Sequence, residues 1–257
     1  MAMAVVVTAL GGILGLICGW IGNIVIDRVP VGRGVLGPTP VCPRCGQTMG
    51  PHDTIVVRSR GRVRGRCRRC GQMFAARYPA VVAGMGVLLG TTAWLFATMA
   101  PPDYWALPGM FLFVWMLPVV ALIDYRTRRI PNALTYPLTP VLLVLLVGAA
   151  VLNGTPGRAV EVLIGAVGAF VFLLVLALIN PRGMGMGLGY LGIGVVVVGI
   201  VGAFLFGSVI SLGLIVGKLR NRKDTIPFGP FLSLGALVGV WLGPAIIAAY
   251  LQSMTPR

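Results

Sequence analysis

Apolar runs of about twenty residues, separated by short loops rich in arginine and proline, constrain this chain more than any other feature. A helix rises about 1.5 Å per residue, so roughly 20 apolar residues match the roughly 30 Å hydrocarbon core of a bilayer. Runs of this kind occupy residues 5–26, 80–99, 105–123, 136–152, 159–179 and 230–251, and a longer one covers 188–217. Backbone amides find no water in lipid, so such runs span as helices that satisfy their own hydrogen bonds. The expectation is an all-α polytopic membrane protein with about seven spans. Composition agrees, with 57% hydrophobic and 11% charged residues. No basic segment precedes the first run, which reads as a retained span and not a cleaved signal.

The net charge of +15 could suggest nucleic acid as a partner. The arginines, however, cluster in short loops between spans, where the positive-inside rule and anionic lipid headgroups account for them. The expected partners are therefore an anionic lipid membrane and no nucleic acid. Eleven arginines fall between positions 28 and 77, which places that loop in the cytoplasm. The chain divides into a first span (1–27), a cytoplasmic loop (28–78) and a membrane-embedded helical domain (79–257).

Within the loop, Cys42-Pro-Arg-Cys45-Gly and Cys67-Arg-Arg-Cys70-Gly form two CxxC knuckles separated by 21 residues. Cytoplasmic thiols stay reduced, so metal is expected ahead of disulfides. Two knuckles supply the closed tetrahedral set of a structural Zn2+ site, zinc-ribbon-like in spacing, with Cys42, Cys45, Cys67 and Cys70 as ligands. A rubredoxin-like iron site shares these ligands and is the competing reading. Four thiolates leave no open position for catalysis. Cys18, inside the first run, reads as a small core residue.

The stretch Ala121-Leu-Ile-Asp-Tyr-Arg-Thr-Arg-Arg-Ile-Pro-Asn132 ends a span in a carboxylate, followed at once by arginines. An acid at a membrane boundary is a candidate site, Asp124 being the candidate catalytic residue. Its plainer reading is an interfacial pair with Arg126 or Arg128. Gly187-Leu-Gly-Tyr-Leu-Gly192 matches GxGxxG but follows a membrane span instead of a strand, with no acid about twenty positions on, so dinucleotide binding is not expected. GxxxG pairs at Gly15/Gly19, Gly86/Gly90 and Gly239/Gly243 point to close helix packing.

Loop charge and span count agree as far as residue 183 and then conflict. If 188–217 crosses once, the basic Lys218-Leu-Arg-Asn-Arg-Lys223 falls outside, against the positive-inside rule. Its thirty residues make about 45 Å of helix, too long for one crossing and too short for two.

Taken together the motifs resemble the type IV prepilin leader peptidase family, membrane aspartyl proteases of the GxGD type. The resemblance is carried by Gly22-Asn-Ile-Val-Ile-Asp-Arg-Val-Pro30, by the cysteine loop with Arg77-Tyr-Pro79, by Ile123-Asp-Tyr-Arg-Thr-Arg-Arg-Ile-Pro-Asn132, and by Ile226-Pro-Phe-Gly-Pro-Phe231. It implies eight spans, a bacterial plasma (inner) membrane location and cleavage of type IV prepilin-like precursors after the leader at the cytoplasmic face. Many members also methylate the new N-terminus with S-adenosylmethionine, so that cofactor is implied beside Zn2+. Two aspartates perform the cleavage in the family, and Asp124 matches the first. The second belongs to a Gly-x-Gly-Asp-x-Lys motif, where this chain has Gly183-Met-Gly-Met-Gly-Leu-Gly-Tyr-Leu-Gly192. The family's glutamate after Arg-Tyr-Pro is replaced by Val82. A gap after about Gly187 removes the second aspartate together with most of one crossing, which also explains the charge conflict. The alternative function is a catalytically silent membrane zinc-loop protein that binds prepilin or secretion machinery. A transporter is not expected, because matching broken helices and paired intramembrane charges are missing.

Overall fold

The computed structural model describes residues 1–32, 45, 69–71, 77–128, 131–179, 193–217 and 229–254. Among them are seven α-helices and no strand: α1 Ala2–Arg28, α2 Arg77–Thr98, α3 Leu107–Thr127, α4 Asn132–Leu152, α5 Pro156–Ile179, α6 Ile193–Val216 and α7 Gly229–Met254. They coincide with the seven apolar runs. Five are long and apolar enough to cross a membrane among the described residues: α1, α2, α3, α4 and α7. The chain is a polytopic helical membrane protein. Contacts divide it into two units, 1–107 and 108–257.

In the first unit α1 ends at a 3₁₀ turn, Val29–Val31, and Gly32 closes it at φ +70°. Proline cannot donate to the helix ladder, so Pro30 stops the run where expected. The buried stripe of α1 is Gly11, Gly15, Gly19, Gly22, Asn23 and Ile26, spaced for one helical face. The opposite face exposes Leu10, Ile13, Ile17 and Ile21, as lipid contact requires.

Glycine lets α1 and α2 touch backbone to backbone. A Cβ at Gly19 would stand 2.7 Å from the Val82 Cα, and one at Gly15 would overlap the Met85 carbonyl oxygen. Gly84, on α2, has nothing within 4 Å of such a Cβ. Overpacking a tight core costs about 1–3 kcal/mol. Gly19→Leu is therefore expected to lower the melting temperature in detergent while Gly84→Leu leaves it unchanged; equal melting of the two variants would refute this interface.

In the second unit Gly109 on α3 approaches Leu146 on α4, so the two run antiparallel. The turn 153–155 reverses the chain into α5, with Gly154 at φ +67° and the Thr155 N–H donating to the Ala150 carbonyl at 2.9 Å. Only glycine takes that left-handed turn without strain. Between α6 and α7 the close contact is made by Gly199, Ala203 and Gly235, a Cβ at Gly235 overlapping the Gly199 carbonyl oxygen. Gly207 meets Phe231 further along. Rising numbers on α6 meet falling numbers on α7, so this pair is also antiparallel. The contact is centred on Gly235, which heads a GxxxG with Gly239 and precedes the pair picked out by spacing.

Candidate active site

Asp124 lies in the last turn of α3 and is 5% exposed, although the four residues after it are exposed. Two contacts hold it. Its own carbonyl accepts the Arg128 N–H at 2.7 Å, closing the helix with Arg128 in the left-handed region at φ 54°. Its carboxylate Oδ2 accepts the Gly229 N–H at 2.7 Å, in a buried contact across 105 residues of chain. Gly229 is the first residue of α7, where backbone N–H groups have no partner within their own helix and carry partial positive charge. A helix N-terminus aimed at the carboxylate gives one of its oxygens a partner and fixes its position.

Gly229 is needed there for space. A Cβ on it would stand 2.7 Å from Asp124 Oδ2 and 2.9 Å from Asp124 Cβ. One turn along α7, the buried Ser233 hydroxyl donates to the Leu117 carbonyl at 3.0 Å. Such interhelical bonds contribute about 0.6–2 kcal/mol in lipid. The sequence motif containing Gly229 was visible, but its contact with Asp124 was not. The only signal was a glycine between Phe228 and Pro230 at the start of an apolar run.

These contacts also settle direction inside the second unit. Asp124 meets Gly229 and Leu117 meets Ser233, so α3 and α7 are antiparallel. The end of α6, the start of α7 and Asp124 therefore share one end of the unit. Both α3 and α6 thus end on the side of Asp124. The α4–α5 hairpin leaves this end and returns to it, so α5 and α6 run in the same direction. Residues 180–192, where the second acid is expected, lie outside the described residues.

In the first unit Asp27 accepts two hydrogen bonds from Arg77 Nη2, at 2.8 and 3.1 Å, and one from the Tyr78 hydroxyl at 2.6 Å. The Arg77 guanidinium carbon sits 4.4 Å from the centre of the Tyr78 ring. This ion pair joins the two ends of the 28–76 loop. Of the expected metal ligands, Cys45 and Cys70 are described and half-buried; Cys42 and Cys67 lie outside the described residues. Gly71, after the second knuckle, has φ +69°, a left-handed turn that suits a chain folding back behind Cys70.

The fold and site define a multi-helix membrane protein with a buried carboxylate held at a helix end. The profile of the Bacterial Peptidase A24 N-terminal domain matches residues 13–96, and that of the Type IV leader peptidase family matches 111–217. Three relatives are each named prepilin leader peptidase/N-methyltransferase. The one from Aeromonas hydrophila is 30% identical over 89% of this chain and 79% of its own length. That from Pseudomonas aeruginosa is 29% identical over 93% and 92%, and that from Bacillus subtilis 27% over 93% and 96%. No solved structure matches. The chain belongs to the type IV prepilin leader peptidase family, whose members are membrane aspartic peptidases.

Proposed function

We propose that this protein acts on the leader of type IV prepilin-like precursors at the cytoplasmic face of the bacterial inner membrane, with Asp124 as one of two carboxylates. The observation that carries this is the buried Asp124 carboxylate on the Gly229 amide. Hydrolysis of a peptide bond by an aspartic pair needs one ionised carboxylate to take the proton of water and one protonated acid to give a proton to the leaving group. Two close carboxylates reach that state because like charges separate their pKa values. The Gly229 amide holds the Asp124 carboxylate in place for that exchange.

The chain has six acidic residues, Asp27, Asp53, Asp103, Asp124, Glu161 and Asp224. Glu161 is exposed, near the start of α5 and away from the Asp124 end. The shared direction of α5 and α6 supports the loss of a crossing after about Gly187, and with it the loss of the second aspartate. The silent zinc-loop protein is the second reading, favoured by this acid count. Prepilin processing in detergent, read as a mass loss equal to the leader, separates the two, with Asp124→Asn as the control.

Orientation follows from loop charge, with 28–77 and 125–135 inside and Asp103 and Asn153 outside. Single cysteines labelled from outside the cell should react at 103 and 153 and stay unlabelled at 126. Strong labelling at 126 would reverse the assignment.

The loop residues Cys42, Cys45, Cys67 and Cys70 would hold a structural Zn2+, for which four soft thiolates are the fitting donor set. Elemental analysis should find about one zinc per chain. Iron in its place, or no metal, overturns the assignment. Any single Cys→Ser change should make the loop protease-sensitive, since binding such a metal is coupled to folding. The relatives are named N-methyltransferases as well as peptidases, which supports S-adenosylmethionine as a second small-molecule partner.

A further inference from the structure

Helix α7 is held on two sides, and the second grip lies away from the carboxylate. Gly229 and Ser233, one turn apart, face α3 through Asp124 and Leu117. Gly235 stands two residues beyond Ser233, roughly 200° further around a helix of 3.6 residues per turn, and faces α6. A Cβ on it would overlap the Gly199 carbonyl oxygen and stand 2.6 Å from the Ala203 N and 2.9 Å from the Ala203 Cα. Nearer Asp124, a Cβ on Gly207 would meet the Phe231 ring at 3.5 Å.

The three atoms nearest to a Cβ on Gly235 are all backbone, so no side chain can swing aside to admit a larger residue. Close-packed interiors transmit such strain as movement of a whole element. Helix α7 is continuous from Gly229 to Met254, and Gly235 is about 9 Å along it from Gly229. A displacement at Gly235 therefore reaches the Gly229 amide. The hydrogen bond there is 2.7 Å long, and about 1 Å of retreat takes it out of bonding range.

We propose that Gly235 is a positioning residue for Asp124, its backbone contact with Gly199 and Ala203 setting how closely the Gly229 amide approaches the carboxylate. Helix α6 is thus the backstop of the site. This role rests on the reading of Asp124 as a peptidase carboxylate, and its test follows that carboxylate without requiring cleavage.

The measurement is the rate at which dicyclohexylcarbodiimide, an apolar reagent for buried acids, modifies Asp124 in the full chain in detergent, located by peptide mass. The carboxyl adds across a C=N bond of the reagent and ends as an N-acylurea, with nothing lost. Gly235→Ala should raise the rate about tenfold, the value of one hydrogen bond to a carboxylate, because it frees Oδ2 and opens the site. Gly199→Ala, whose Cβ would stand 3.3 Å from the Gly235 carbonyl oxygen, should give a smaller rise. Gly213→Ala, also on α6 but with nothing within 4 Å of its Cβ, should give none. Gly19→Leu strains the first unit instead, and should lower the melting temperature without changing the rate at Asp124. If Gly235→Ala misfolds, the milder Gly199→Ala decides. An unchanged rate in the folded variants overturns the positioning role and leaves the peptidase reading intact, since that reading fails separately in the prepilin assay. An equal rise in Gly213→Ala or Gly19→Leu also overturns it, because general loosening then accounts for the effect.

Discussion

Incubated with a purified prepilin, the 257-residue chain is expected to leave the leader attached. A single positioned acid or base contributes about 10²- to 10⁴-fold to a rate. Peptide hydrolysis needs far more, and the aspartic mechanism obtains it from a second carboxylate that protonates the leaving amine as the first takes the proton of water. Inserting an aspartate-bearing segment after Gly187 is expected to restore cleavage, because on the proposed reading it supplies a second acid together with a further crossing. Asp124→Asn in the restored protein should abolish cleavage again. One internal candidate can be checked alongside. Asp224 stands five positions before Gly229, whose amide holds Asp124. If the unmodified chain cuts and Asp224→Asn stops it, the partner acid is Asp224 and no segment is missing for chemistry. If the unmodified chain cuts and Asp124→Asn still cuts, the two-aspartate assignment is wrong.

In the same restored protein Gly229→Ala should slow cleavage by up to about 10²-fold, the loss expected when a reacting group is displaced by about 1 Å. The added Cβ falls 2.7 Å from Asp124 Oδ2, so either the carboxylate rotates or the start of α7 withdraws. The amide donor is kept, which isolates the effect of space. Because the change acts on the carboxylate and not on the substrate, kcat should fall while KM stays near its parent value. Ser233→Ala, which removes the brace to Leu117, should cost only about 1 kcal/mol of stability and little rate. A Gly229→Ala protein with unchanged kcat would mean that α7 can retreat without moving Asp124.

The helices themselves were legible because hydrophobic run length answers one physical question, whether about 20 residues can cross about 30 Å of hydrocarbon. Asp124 was legible for a related reason: a carboxylate is expensive at a membrane boundary and marks itself by its rarity. The glycine stripe of α1 was legible in part, since four-residue spacing repeats along one helix face. Gly235 at the α6–α7 contact was passed over, because the sequence contains several equivalent spacings and only packing selects among them.

Sequence alone also raised the conflict over the basic segment after residue 217, since arginine placement and span length are local quantities. It could not say where the ends of α6 and α7 lie. That required Asp124 to meet Gly229 and Gly207 to meet Phe231, contacts between residues far apart in the chain. The same holds for the cluster of Asn23, Asp27, Arg77 and Tyr78, whose members are about fifty residues apart. Which carboxylate oxygen is held, which guanidinium nitrogen donates and which way each helix runs are consequences of packing. Residue type sets the chemistry a side chain can perform, but its hydrogen-bond partner comes from whatever other part of the chain the fold brings within about 3 Å.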